Sequence, residues 1–454
     1  MAKNSKLALR NGNRGQEALQ LLERQKIKDE HSLLSENFAE SFTESAEFLF
    51  GRATVLQRLK RLDEAIECYE KILKISPDEP VIHYNRGCLL KKQNRLEEAL
   101  AEFHKAIELK PDYTAALFNC GNLRRRMGRF QEAFDDYNQA VACQPDDPDF
   151  YVARGDIYAE RQEFSDALND YDAAIRLKPN HIVAHGNRGN VFEMMGRLDE
   201  AILEYDRVIA IKPDDYRAYM NRGLIHSKQK QYDLAIQDYT QVIQINPLKP
   251  KAYGARGTMY LKKRRNKAAL KDFDEAIRLA PKEAIYRVRR SQAKLSLSDF
   301  SGSLEDASAA VEINPQLCEG YYQLGIVYGM LNNPEGALEA YAKLIATFPK
   351  YAGGYCLRGV VYAKQGKLPE AFDDYNKAIE LNPSHAAAYL NRGVIYRLLG
   401  DTENSGADLT KAISLDPSNS LAYRNRAMVY ESIGLKEESA ADYAKADELE
   451  KKPQ

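Results

Sequence analysis

The sequence predicts an all-α protein made of twelve helix–turn–helix units of 34 residues each. Three observations carry this. Pro77, Pro111, Pro145, Pro179, Pro213, Pro247, Pro281, Pro315, Pro349, Pro383 and Pro417 are each 34 residues from the next, eleven of the 17 prolines in one phase. Between them run two apolar stripes of helical period separated by a short turn. Small and aromatic residues also recur at fixed offsets from the proline.

With the proline set at phase 32, units begin at 46, 80, 114, 148, 182, 216, 250, 284, 318, 352, 386 and 420. The array is expected over 46–453, preceded over 1–45 by an irregular, partly helical N-terminal cap in which Gly15-Gln16-Glu17-Ala18-Leu19, Leu21 and Leu22 read as the second helix of a degraded unit. In the unit beginning at 386, Tyr389, Ile395, Tyr396 and Leu399 line the first helix, and Leu409, Ile413 and Leu415 the second. A glycine or polar residue near Gly400 ends the first helix, and an acidic N-cap such as Asp63 or Asp199 is expected to open the second elsewhere. The phased proline closes the second helix, because its ring and missing N–H cannot continue one. Pro80, Pro148 and Pro250 stand where first helices begin, Pro334 and Pro369 where second helices begin.

Side-chain size predicts how the two helices touch. Phase 8 is glycine in nine units and Ala53, Ser291 or Ala427 in the rest. Glycine inside a helix costs roughly 0.5–1 kcal/mol against alanine, so its recurrence implies that a facing group needs the space. Phase 24 is Tyr or Phe in ten units, and phase 20 is Ala or Ser in all twelve, which predicts a ring filling the gap. Phase 7 is arginine in ten units and phase 23 Asp or Glu in ten. Leu324 and Ala340 lose both together, which predicts an ion pair within each unit, with pairing between neighbouring units as the alternative.

Tyr389, Gly393, Tyr396, Ala412 and Pro417, repeated at their phases through 46–453, resemble the tetratricopeptide repeat, with Ser405 and Leu409 as departures. The resemblance implies antiparallel helix pairs stacked into a right-handed superhelical solenoid whose first helices line a concave groove. It also implies a protein that binds peptides or partner proteins there and is not an enzyme. Phases 2, 5, 6, 9, 12 and 13 would face the groove. They place Phe50, Tyr84, Asn85, Phe118, Asn119, Asn122, Asn187, Asn190, Asn221, Tyr322, Leu390, Asn391, Val394 and Asn425 in the partner-binding set. A row of side-chain amides can pair with an extended peptide backbone without reading its sequence, although the same amides can bond locally. The family's clamp for chaperone tails needs a lysine at phase 5 and an asparagine at phase 9, and no unit has that lysine, so acidic chaperone tails are not expected to bind through it.

Composition narrows the rest. A net charge of -1 gives no whole-molecule field toward nucleic acid or an acidic membrane. No apolar run approaches a membrane span, and MAKNSKLALRNGNRGQEALQ lacks the apolar core of a secretory signal, so a cytoplasmic protein is expected. Six cysteines in different phases predict reduced, mostly buried thiols. His83, His185 and His226 fall at phases 4 and 11 and read as core substitutes, and His181 precedes a helix, so no metal pair with His185 is expected. There is no phosphate-binding glycine loop and no GxSxG, so neither catalytic residues nor a cofactor is expected. Arg124-Arg125-Arg126-Met127-Gly128-Arg129 and Lys262-Lys263-Arg264-Arg265-Asn266-Lys267 are basic turns, explained by cations at helix C-termini. The reading is a protein-interaction scaffold, with a self-associating structural subunit as the alternative and an RNA-associated adaptor using the basic turns as a second.

Two further expectations concern particular units. Phase 28 is Ile, Leu or Val until it becomes Asp447, which predicts a polar cap ending the array with no catalytic domain after it. The unit beginning at 284 departs most, with Arg287, Lys294, Ser303 and Ala307 at key positions, and is expected to reflect drift or a local flexible seam, with a functional special site as the alternative.

Overall fold

The computed structural model describes residues 45–451, so all but one residue of the expected N-terminal cap lies outside the described residues, as do Gly15 through Leu22. Among the described residues there are 24 helices and no strand, from Ala46–Arg58 and Leu62–Ile75 to Ser420–Ser432 and Lys436–Lys451. They form twelve hairpins, whose first helices start at 46, 80, 114, 148, 182, 216, 250, 284, 318, 352, 386 and 420. The chain divides into two compact units, residues 1–218 and 219–454, each built of such hairpins.

Each turn has one backbone device. The residue at phase 15 has positive φ in every unit: Gly128, Gly196, Gly366, Gly400 and Gly434, and also Lys60, Asn94, Gln162, Lys230, Arg264, Ser298 and Asn332. Left-handed backbone ends the first helix and turns the chain back, whether or not glycine supplies it without strain.

The start of the second helix differs from expectation. Leu62–Ile75 and Leu198–Ile211 are preceded by Arg61 and Arg197, which make no side-chain cap bond. Asp63 and Asp199 therefore lie inside the first turn, where a carboxylate complements the helix dipole without capping. Side-chain caps occur instead where the preceding residue is short and polar: Asp299, Asn333 and Asp401 accept from Gly302, Gly336 and Asn404.

The core runs between the two helices of each hairpin. Tyr69, Phe103, Tyr137, Tyr171, Tyr205, Tyr239, Phe273 and Tyr375 are almost wholly buried. A Cβ on Gly87 would lie 2.7 Å from the Phe103 ring, and one on Gly359 2.7 Å from Tyr375, so the phase-8 glycines admit the phase-24 rings. In the unit beginning at 284, where both positions are small, Ser291 and Ser303 meet hydroxyl to hydroxyl at 2.8 Å and Gln323 donates to Ser291. That unit fills its departures with polar contacts. At the last helix Asp447 is exposed and accepts from Arg424 at 2.7 Å.

Candidate partner-binding face

The phase-7 arginine fixes each first helix. Arg392 makes a two-pronged contact with Asp408 of its own unit, Nε to Oδ2 at 2.7 Å and Nη2 to Oδ1 at 2.9 Å. Its third nitrogen donates to Asn376 of the preceding unit at 2.7 Å. The same pattern joins Arg154 to Asp170 and Asn138, Arg256 to Asp272 and Thr240, and Arg290 to Asp306 and Asp274. Pairing is thus both within the unit and to its predecessor. The guanidinium also sits between aromatic rings: Arg358 lies 5.8 Å from the Tyr355 centroid and 5.9 Å from that of Tyr362. Where Leu324 and Ala340 replace the pair, they are buried with Ala307 in an apolar cluster.

Phase 4 has a second task. Tyr151 and Tyr355 donate to the carbonyls of Pro145 and Pro349. His83 and His185 place Nε2 on the carbonyls of Pro77 and Pro179, and Arg287 reaches that of Pro281. The two histidines are buried, as expected of core substitutes, and each turns Nδ1 to the carboxylate of Glu102 or Glu204 at 2.8 Å. Those two units carry Glu where eight others carry Asp, and the longer acid reaches both histidine and arginine. Burial raises the Glu204 pKa, but hydrogen bonds from His185 and Arg188 outweigh it and hold the carboxyl below its ordinary value. His226 contacts Gln231, and His181 caps a helix by accepting from the Ala184 N–H at 3.1 Å while facing Asp149.

These contacts position the outward face of the first helices. Phe50, Tyr84 and Phe118 are half-buried and lean on core rings, Phe50 on Tyr69, Tyr84 on Phe103 and Tyr113, Phe118 on Tyr137 and Phe150. Asn119 is buried; its amide donates to Ala115 and to Tyr84, and its oxygen accepts from Lys91. Asn122 and Asn190 accept from the hydroxyls of Tyr137 and Tyr205. Asn187 donates to Asp156, Asn391 to the Cys356 sulfur and Asn425 to its own helix. Much of the asparagine row, Asn221 included, therefore has partners within the protein; Asn85 and Asn221 are half-buried. Tyr322 and Val394 are half-buried at cluster edges, and Leu390 is buried against Leu409.

More exposed apolar residues stand on the same face. Val183, Met194, Leu224, Met330, Leu398, Leu421 and Met428 occupy phases 2, 9 and 13, with Leu398 59% and Leu421 58% exposed. Val183, Met194, Leu224 and Leu421 were not singled out by sequence; their phases combined with large apolar type would have found them. The first basic turn is largely neutralised: Arg124 pairs with Asp136, Arg125 with Asp156 and Glu160, and Arg129 with Glu97. All six cysteines are free thiols, with Cys68, Cys120 and Cys356 buried and Cys143 exposed. Burial pushes the Cys120 thiol up to about 12 and Cys356 up to about 11, so neither is a ready nucleophile. Among the described residues, no helix is long and apolar enough to cross a membrane.

Repeated hairpins carrying a recurrent core and a varied outward face define a helical-repeat scaffold of the kind that mediates protein–protein interaction. Tetratricopeptide repeat models match residues 44–112, 84–148, 216–247, 255–317, 319–351 and 386–419, and a TPR repeat model matches 155–196, 194–230 and 361–400. The chain belongs to the tetratricopeptide repeat family. No protein among the curated ones matches it. Similar solved structures include yeast Tom70, 16% identical over 90% of this chain and 92% of that one, with a TM-score of 0.47. A chain of the APC/C hetero-tetramer Cut9–Hcn1 is 13% identical over 90% of this chain and 94% of that one, with a TM-score of 0.46. A tetratricopeptide repeat protein from Parabacteroides merdae is 20% identical over 55% of this chain and 99% of that one, with a TM-score of 0.44.

Proposed function

We propose that this chain is a non-catalytic cytoplasmic adaptor that binds an extended or helical segment of another protein along its first-helix faces. One observation carries the reading. The phases that hold the fold are nearly constant from unit to unit, whereas phases 2, 9 and 13 expose large apolar side chains, among them Met194, Met330, Leu398 and Leu421. Seven of the exposed large apolar side chains stand at these phases, the rest at turns, helix ends and second helices, and those seven give this face apolar groups on which a partner can dock. Phe50, Tyr84 and Phe118 in the first compact unit, and Tyr322 and Val394 in the second, are half-buried on these first-helix faces, and Asn85 offers a polar group there. Asn119 and Leu390 are buried on the same faces. Affinity capture with quantified prey tests the proposal. Leu398→Ser with Leu421→Ser and Met428→Ser should lose the captured partner, while Leu234→Ser, an exposed apolar site on a second helix, should keep it. Equal capture by both variants would remove the first-helix face from the function.

A further inference from the structure

We infer that a cavity between the first helices Pro250–Lys262 and Ala284–Ser296 receives the phosphate of a phosphoserine or phosphothreonine on a bound peptide. The inference rests on the reading of this face as peptide-binding. The cavity has a volume of about 410 Å³, and Lys262, Arg264 and Arg289 line it together with Asn266 and Gln292. No carboxylate lines it.

Three features point to an anion site. The first is unpaired charge. Arg289 donates to Gln292 at 3.2 Å, which orients its guanidinium, and among the described residues none of the three cations pairs with a carboxylate. Lys263 of the same turn, outside the cavity lining, does reach an acid, Asp233. The second is a helix end. Asn266 opens the helix Asn266–Leu279, which has no side-chain cap and no acid in its first turn. Most other second helices carry Asp or Glu there, so this positive end is left for a ligand. The third is the surrounding sequence. Between 219 and 318, phases 2, 5, 6, 9, 12 and 13 hold Lys228, Lys251, Lys262 and Arg289 and no acid.

Charge selects phosphate among anions. A phosphorylated side chain carries roughly -1.5 to -2 with three acceptor oxygens, which suits several converging donors better than one carboxylate does. Arg289 supplies a planar fork and Lys262 a point charge.

The test uses the full chain and fluorescent degenerate peptides with a fixed central phosphoserine, compared with the same peptides carrying serine, at about 150 mM salt. The phosphorylated set should bind at least about tenfold more tightly. Lys262→Gln with Arg289→Gln should erase that preference, so that the phosphorylated and serine sets bind this variant equally. Arg265→Gln with Lys267→Gln, cations of the same turn outside the cavity lining, should keep it. Matched thermal melts establish that the variants fold. Equal binding of the two sets overturns the phosphate site while leaving the peptide-binding face intact. Failure of both sets to bind overturns both readings. Equal loss in the Arg265 and Lys267 variant overturns the site in favour of diffuse charge. Tighter binding of single-stranded RNA, lost with the cavity substitutions, overturns it in favour of a nucleic-acid surface.

Discussion

Arg124 donates to Asp136 at 2.5 Å from one helical turn further along its helix than Arg154, Arg256 and Arg392 stand in theirs. Cys120 occupies the position those arginines hold, and Arg124 does the same work from phase 11, donating also to His104 of the preceding unit at 2.7 Å. Burial and the adjacent guanidinium hold the His104 pKa below its usual value, which keeps the ring an acceptor.

The displaced arginine can be returned. Cys120→Arg with Arg124→Tyr recreates the arrangement of the other units, so the double variant should be at least as stable as the parent. Arg124→Ala alone should lose about 3 kcal/mol, because it leaves the buried Asp136 uncompensated. Urea denaturation of the three proteins measures both.

The pairing itself is open to a double-mutant cycle. Arg392→Ala and Asp408→Ala, singly and together, should show a coupling energy of about 1–3 kcal/mol. Asn376→Ala should add a smaller loss, about 1 kcal/mol, for the bond to the preceding unit. A coupling indistinguishable from zero would reduce the contact to coincidence of position.

Two adjacent glycines should respond differently to alanine. At Gly359 a Cβ would meet the edge of the rigid Tyr375 ring at 2.7 Å, whereas at Gly393 it would meet the Leu409 side chain at 3.0 Å. Gly359→Ala should cost about 1–3 kcal/mol through overpacking, and Tyr375→Leu should rescue it. Gly393→Ala should be close to neutral, since gained helix propensity offsets a small shift of leucine. Equal losses at the two sites would contradict the packing described here.

Asp136 gives a signed pH dependence. Its second oxygen has no protein partner, and burial pushes its pKa up to about 6 although Arg124 opposes this. A carboxyl with a raised folded pKa binds its proton more readily in the folded state. Its effect on stability therefore becomes more favourable as pH falls through about 6 toward the unfolded value near 4. The melting temperature of the parent minus that of Asp136→Asn should be larger at pH 5 than at pH 7.5. A difference that stays flat, or shrinks, would show that Asp136 is already ionised across the range.

The hairpins were legible in the sequence because proline and glycine act locally and every copy repeats the same constraint. The within-unit pair of Arg392 and Asp408 was legible for the same reason: two residue types vanish together at Leu324 and Ala340. The bond to the preceding unit was not. Its acceptors are Asn138, Thr240, Asp274 and Asn376, alike only in offering an oxygen, so a pattern based on residue type passes over them. The asparagine row was ambiguous because an amide serves a peptide backbone and a neighbouring tyrosine equally well, and only the geometry shows Asn122 and Asn190 serving tyrosine. The helix starts at Leu62 and Leu198 were misplaced by the expectation that an acid near a helix N-terminus is its cap.

The reach of the phase-7 arginine has a genetic corollary. Arg392 looks back to Asn376, and Thr410 in the same unit receives Arg426 of the next, so a single unit carries one half of each of two successive joints. A segment of 34 residues copied in tandem would arrive with a donor that fits its parent and an acceptor that fits its own duplicate. Such a chain can lengthen by duplication without inventing a new seam, whereas a copy of the unit around Leu324 would lack the arginine joint and carry apolar packing in its place.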